Sequence, residues 1–479
     1  MRKLLVLLGL PLFLISTISS AHELEGAAGI EARVNRFVNS DHAYRSLLDY
    51  QSKVGFSGRS AFQPWSSTFW PLDQGMVANA YADKGGKTHS FTMNQMRFNS
   101  RIKTFLRRAE RNRFDEEDFD TMSPTEKYDL FLGDTNFTLS RSIWNSLAEH
   151  EKHAKKHKIQ DWEGICHGWA PAAVYMKRPL KKFVIQSIDG RFSIPFYPDD
   201  LKALESLLWA NSLVQDTTIV EGIRCDTNGP QLDYGSGKVL RTRCKGVNPG
   251  VWHLSVLGLI GEKHMGFIMN KNNDIEIWNQ PATSFEFQYY NPKTNATGKI
   301  EEVSVPVKAF NDPFAKFRDP NTAYIVGVDM NFHYINETEP THAETDDPSK
   351  DNIANMHMRY ELELDAGYNV LGGEWTTTED QDRSYIPNYP AFMWRFPSDF
   401  PMALSIMDAK TPDSFNDASL MRALSAGASS FRYQKYMIND EGETDVLEVD
   451  ENGKPIPAGL ELRPQPIGKV INYLLEKSQ

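Results

Sequence analysis

A chain of 479 residues with 40% hydrophobic and 24% charged side chains has the composition of a folded globular protein, and it is too long for one ordinary core. Its formal charge of −11 argues against nucleic acid or an anionic membrane as the main partner.

The chain opens "MRKLLVLLGLPLFLISTISSAHELEG". Arg2 and Lys3 precede an apolar run from Leu4 to Ile15, and small residues at Ser19 and Ala21 follow. This pattern predicts a signal peptide over 1–21, cut after Ala21, and a mature protein that is secreted or periplasmic. The apolar run is too short for a comfortable span, and no later stretch approaches the roughly 20 apolar residues a span needs.

Residues 22–122 mix helical patterns with "FQPWSSTFWPLDQG" and read as a helical segment that wraps a later core. The basic run from Arg101 to Arg113 gives way to "DEEDFD", so its charges read as a solvated helix face. "SPTEKYDLFLGD" predicts a helix start, with Ser123 capping, Pro124 at the first position and Glu126 at the third. A charged helix carries His150, His153 and His157 toward "WEGICHGWAPAAVYMK". Those histidines share a face, but the run is rich in Lys, and no metal site is assigned.

Tyr197 to Val214 has apolar residues at helical spacing. Cys225 and Cys244 follow in polar, turn-rich segments, the arrangement of a disulfide closing a hairpin-like loop. Sequence leaves the connectivity open, and Cys166 paired with either remains an alternative. Beyond them, "VWHLSVLGLIG", "HMGFIMN", "DIEIWNQP", "SFEFQYY", "KIEEVSVPV", "TAYIVGVDMNFHYI" and "MRYELELDAGYNVLGG" are short runs bounded by Asn, Gly and Pro. They predict a mostly antiparallel sheet, hence an α+β architecture. The tail is polar, and its run "NDEGETDVLEVDENG" reads as a loop.

With Cys225 and Cys244 paired, Cys166 is the odd thiol. Gly164 and Gly168 suit tight turns, and Pro171, tolerated in a first helical turn, places a helix start near Cys166. A thiol there feels the positive end of the helix dipole, and unpaired N–H groups are at hand for an oxyanion. The alternative role is a buried small hydrophobe. His167 adjoins Cys166, but neighbours in sequence do not face each other on a helix. His253, in a run read as a strand, is the candidate base. Asn270 or Asp274 would orient it, with Asn272 and Asn273 nearby. No P-loop, dinucleotide fingerprint, HExxH or GxSxG pattern is present.

"WEGICHGWAPAA", "CKGVNPGVWHLSVLGLIG" and "IEIWNQPATSFEF", in that order, resemble the transglutaminase elicitor family, secreted transglutaminases of the Phytophthora type with bacterial relatives. The similarity extends from about Trp65 to Pro397. It implies a papain-like core, a nucleophile helix packed on an antiparallel sheet, over residues 123–400, followed by a C-terminal extension at 401–479. The implied activity is transfer of a protein glutamine acyl group to a lysine or other amine, so the implied partners are a protein glutamine and an amine acceptor. Carried over, Cys166 is the nucleophile, His253 the base and Asn270 the orienting residue, where the resemblance leads one to expect Asp. Tyr389 stands where His is expected. Trp169, Trp252 and Trp278 would wall a substrate groove. Calcium is needed by some relatives, and no ligand set can be assigned. Ile277 to Tyr289 resembles the peptide that plants recognise in oomycete relatives. A papain-like protease, amidase or deamidase with the same residues is the enzymatic alternative, and a catalytically lapsed secreted binding protein the other.

Overall fold

The computed structural model describes residues 27–40, 46–82, 88–153, 158–212, 218–225, 229, 231–271, 276–309, 311–376, 389–397, 433–438, 444–449 and 467–479. The expected signal peptide and most of the tail lie outside the described residues, as do His157 and Asn272 to Asp274. Among the described residues no helix is long and apolar enough to cross a membrane.

The first half is mainly helical: α1 (Ala27–Val38), α2 (Leu47–Lys53), α3 (Phe91–Glu110), α4 (Glu116–Asp120), α5 (Pro124–Phe131), α6 (Thr138–His153), α7 (Cys166–Tyr175), α8 (Pro198–Ser212) and α9 (Pro249–Val256). Helix α5 starts where its cap signal lies. Ser123 Oγ accepts the Glu126 N–H at 3.2 Å, the Glu126 carboxylate accepts the Ser123 N–H at 2.7 Å, and Pro124 takes the first position. The amphipathic run from Tyr197 becomes α8.

The strands are β1 (Ser57–Arg59), β2 (Phe183–Gln186), β3 (Ser193–Phe196), β4 (Ile219–Gly222), β5 (Ile268–Asn270), β6 (Asn279–Tyr290), β7 (Thr297–Gly298), β8 (Val305–Pro306), β9 (Tyr324–Ile335), β10 (Ile353–Leu364), β11 (Val370–Trp375) and β12 (Phe392–Arg395). Ten of them form one antiparallel sheet along the path β11-β10-β9-β6-β5-β12-β4, with β1 and β7 on β6 and β8 on β9. The long strands β6, β9 and β10 anchor it, with Tyr289 and Tyr360 both opposite Val328. The architecture is thus mixed helix and antiparallel sheet.

Three readings change. "VWHLSVLGLIG" is not a strand but α9, prolonged by a π-helical turn at Leu257–Glu262. Asn248 caps it, its side-chain oxygen accepting from Gly250 N at 2.9 Å and Val251 N at 3.4 Å, with Pro249 first. "KIEEVSVPV" gives only a helical turn at Ile300–Val303 and the two residues of β8. Part of the acidic tail run, Thr444–Val449, is a strand paired with Tyr433–Ile438.

Two apolar cores result. One gathers α3, α5, α6, α7 and α8 with the C-terminal helix Ile467–Lys477, and includes Cys166. The other lies between α1, α2, α9 and the middle of the sheet, around Trp252, Phe267, Phe332 and Met330. Segment 27–59 belongs to the second core: α1 packs on α9, and β1 extends the sheet beside β6.

Candidate active site

Helix α7 begins at Cys166. The Ile165 N–H bonds Phe69 O at 2.8 Å, fixing the chain before the first turn. The glycines of the motif serve close approach, not the tight turns expected of them. A Cβ on Gly164 would lie 2.4 Å from Phe69 O, and one on Gly168 2.2 Å from Ser206 O of α8. Pro171 lies inside α7, past its first turn. It has no N–H for the His167 carbonyl four residues earlier, a loss the short helix tolerates through burial of Trp169, Ala170, Ala172 and Ala173.

Cys166 is the free cysteine, 7% exposed, while Cys225 and Cys244 are joined in a disulfide. Asn279, the first residue of β6, donates its side-chain N–H to Cys166 Sγ at 3.3 Å. The Trp394 indole N–H, from β12, bonds Asn279 Oδ1 at 2.8 Å and thereby fixes which end of the amide faces the sulfur. The thiol in turn donates to Ile277 O at 3.6 Å. Burial pushes the Cys166 thiol up; hydrogen bonds from the Asn279 side chain, the Asn279 backbone and the His167 backbone pull it down, and Glu337 adds a smaller upward push. The sulfur is thus ringed by N–H donors ready for a thiolate or an oxyanion, under a cover that disfavours charge at rest.

Trp278 borders this site. Its ring meets Phe69 edge to face at 5.2 Å, Lys271 Nζ lies 5.2 Å above it, and its N–H bonds Glu276 Oε2 at 2.9 Å. Asn270 is here too, in another role than the one expected. Its Oδ1 accepts the Trp278 backbone N–H at 2.8 Å and holds the turn into β6.

His253 is elsewhere. It is fully buried on α9 in the second core. Nδ1 lies 2.8 Å from the Tyr360 hydroxyl and Nε2 3.3 Å from that of Tyr289. One consistent pattern has Nδ1–H donating to Tyr360, Tyr360 donating to Met330 Sδ at 3.8 Å, and Tyr289 donating to Nε2. Burial lowers the imidazole to about 3, so it is neutral. Cys166 touches the start of β6 and His253 touches Tyr289 near its end, about 33 Å along the strand at roughly 3.3 Å per residue. The structure therefore joins Cys166, Asn270 and Trp278, and does not bring His253 to them.

Trp169 and Trp252 wall no groove, because both are fully buried. Trp169 donates to Trp65 O at 3.2 Å, and Trp252 packs edge-on against Phe267 and Phe332. His167 is held neutral by burial, which lowers it to about 4. Tyr389 stacks on Trp375 and donates to Cys244 O at 2.9 Å, a support for the disulfide loop. Asn279 and Trp394 were missed as site residues. Asn279 lies inside the quoted string "DIEIWNQP" and Trp394 shortly after Tyr389, but nothing local says that their amide and indole meet.

Calcium would need clustered oxygen ligands. Among the described residues no group of three or more His, Cys, Asp or Glu side chains is placed to hold a metal. The carboxylates of Asp346 and Asp351 are instead held by Arg178, at 2.7 and 2.5 Å, and Asp346 also by Lys202 at 2.7 Å. His150 is 3.8 Å from Glu163. The described residues do not fit such a site.

A single free thiol at the start of a helix, laid against the start of an interior strand of an antiparallel sheet with amide donors around its sulfur, defines a cysteine-centred α+β protein. The chain belongs to the transglutaminase elicitor family, whose model matches residues 44–410. A solved structure, the GP42 transglutaminase from Phytophthora sojae, is similar with a TM-score of 0.51 and 18% identity over 78% of this chain and 91% of that chain. At that identity the likeness concerns the fold. No curated protein matches.

Proposed function

We propose that the protein is a secreted protein-glutamine γ-glutamyltransferase built on a papain-like core, with Cys166 as nucleophile. The observation that carries the reading is the Cys166–Asn279–Trp394 chain at the start of α7, with donor distances of 3.3 and 2.8 Å. The Cys166 sulfur bonds the glutamine side-chain carbonyl carbon, the C–N bond breaks, and ammonia departs with the thiol proton. An amine then bonds the same carbon, the C–S bond breaks, and a proton from the attacking nitrogen returns to sulfur. Water in place of the amine gives glutamate. The Asn279 N–H groups and the backbone N–H of His167 stabilise the developing charge. Asn270 positions Trp278 at the mouth, and His253 has no part in proton transfer. Export rests on the basic-apolar leader and on the Cys225–Cys244 disulfide, a bond that persists outside the cytosol. The test is incorporation of a fluorescent primary amine into casein. Wild type incorporates it and Cys166→Ala does not; release of peptide fragments alone overturns the reading in favour of a protease.

A second reading, a binding protein that has lost the chemistry, is favoured by one observation: among the described residues no histidine ring bonds Cys166 Sγ. Absence of incorporation by wild type, even at a pH where iodoacetamide alkylates Cys166 and the thiolate is therefore present, would establish it.

A further inference from the structure

Near the sulfur lies an acidic side chain, Glu337, that the chemistry above does not use. Glu337 follows the end of β9, and two separate chains of contact tie it to the Cys166 pocket. On one side Gln280, next to Asn279 on β6, donates Nε2 to Glu337 Oε1 at 2.6 Å. On the other, the N–H of Thr338 bonds Ser67 O at 2.9 Å, in the segment whose Phe69 carbonyl fixes the residue before Cys166. Glu337 is close enough to Cys166 that its charge opposes thiolate formation.

A carboxylate that disfavours the nucleophile's charged form is a poor helper for the first half-reaction. It suits a cationic second substrate. Gln280 is fully buried, and with its N–H committed to Glu337 its Oε1 is left without a partner among the described residues. A carboxylate and an unpaired carbonyl side by side are two acceptors, and a primary ammonium brings three donors. Within the same corner, Lys271 shows how an alkylammonium is held: Nζ lies over the Trp278 ring at 5.2 Å and 3.5 Å from Asn336 Oδ1.

We propose that Glu337, with the Gln280 carbonyl, receives the cationic end of the acyl acceptor and makes the site selective for alkylammonium acceptors over neutral nucleophiles. Glu337 binds the acceptor as its ammonium ion, which gives one proton to solvent before its nitrogen attacks; the second proton goes to sulfur as above, and Glu337 forms no covalent bond with it. This inference rests on the transferase reading, so the experiment separates the two. Acyl transfer from a blocked glutaminyl-glycine peptide is measured with cadaverine, which is cationic, and with hydroxylamine, which is uncharged near neutral pH. In Glu337→Gln the ratio of kcat/KM for cadaverine to that for hydroxylamine falls by roughly tenfold, the loss residing in KM for the amine. Glu337→Asp, which keeps the charge, recovers part of the ratio. A ratio unchanged in Glu337→Gln overturns the acceptor assignment while leaving the transferase intact. No transfer from wild type to either acceptor overturns the transferase reading and this inference with it.

Discussion

At the scale of single residues, the two strongest local signals, Cys166 and His253, separate. Cys166 was legible because an odd thiol beside a helix start is unusual chemistry. His253 was misplaced because a histidine in an apolar run looks the same whether it faces a thiol or two tyrosines. Its measured effects will therefore be those of a core residue. His253→Ala leaves the buried Tyr289 and Tyr360 hydroxyls each short of a partner, a loss of about 1–3 kcal/mol per group. Urea unfolding reads this, while the folded fraction keeps its amine incorporation; a base would instead cost about 10²- to 10⁴-fold. The pH dependence has a definite sign. The folded imidazole stays neutral down to about 3, whereas the unfolded one binds a proton below its usual value of about 6.5. Between those values the unfolded state holds more protons, so stability falls as pH drops through that window and is unaffected above it. His253→Gln, which cannot titrate, flattens that fall. Asn279 behaves in the opposite manner. Asn279→Ala removes a donor that lowers the Cys166 thiol, so alkylation of Cys166 shifts to higher pH, and incorporation falls by roughly 10- to 100-fold, the scale of a hydrogen bond to a charged group.

At the scale of elements, legibility followed capping and periodicity. Helix α5 was readable because Ser123, Pro124 and Glu126 specify its start, and α8 because its apolar residues recur at helical spacing. Strand β9 was readable from a run rich in β-branched and aromatic residues, and the second half of β10 from the alternation in "YELEL", each bounded by turn signals. Helix α9 was not, since it is buried on every face, and a run apolar all round carries neither period. Only Asn248–Pro249, a cap followed by a first-position proline, distinguished helix from strand there. The role of Gly168 was similarly hidden, because its function is the space it leaves for α8. Gly168→Ala drives a Cβ to 2.2 Å from Ser206 O and 2.7 Å from Ala210 Cβ. Neither neighbour is a flexible side-chain end, so α7 must shift. Overpacking of this kind costs about 1–3 kcal/mol by denaturant unfolding. It moves the sulfur relative to Asn279, so incorporation drops more than the residual fold accounts for.

At the scale of the whole molecule, the sheet was foreseeable and its partition was not. Alternating runs announce strands, but the order in which β12 inserts between β5 and β4 is set by pairings that span more than a hundred residues. That insertion brings Trp394 to Asn279, which is why the site's second half was invisible locally. The disulfide bears on the same arrangement from outside the site. Cys225 follows β4, Cys244 precedes the Asn248 cap of α9, and Tyr389, on the approach to β12, bonds the Cys244 carbonyl. The bond therefore closes a loop of 19 residues whose ends tie β4, α9 and β12 together. Closing a loop of that length contributes about 3 kcal/mol in the chain-entropy model. Reduction, or Cys225→Ser with Cys244→Ser, should lower the thermal midpoint without removing Cys166 reactivity in the molecules that remain folded. Alkylation of Cys166 and the unfolding transition, followed on one sample with and without reductant, test both halves. If reduction abolished incorporation at temperatures where the fold persists, the disulfide would be part of the site and not only of the frame that holds β12 in place.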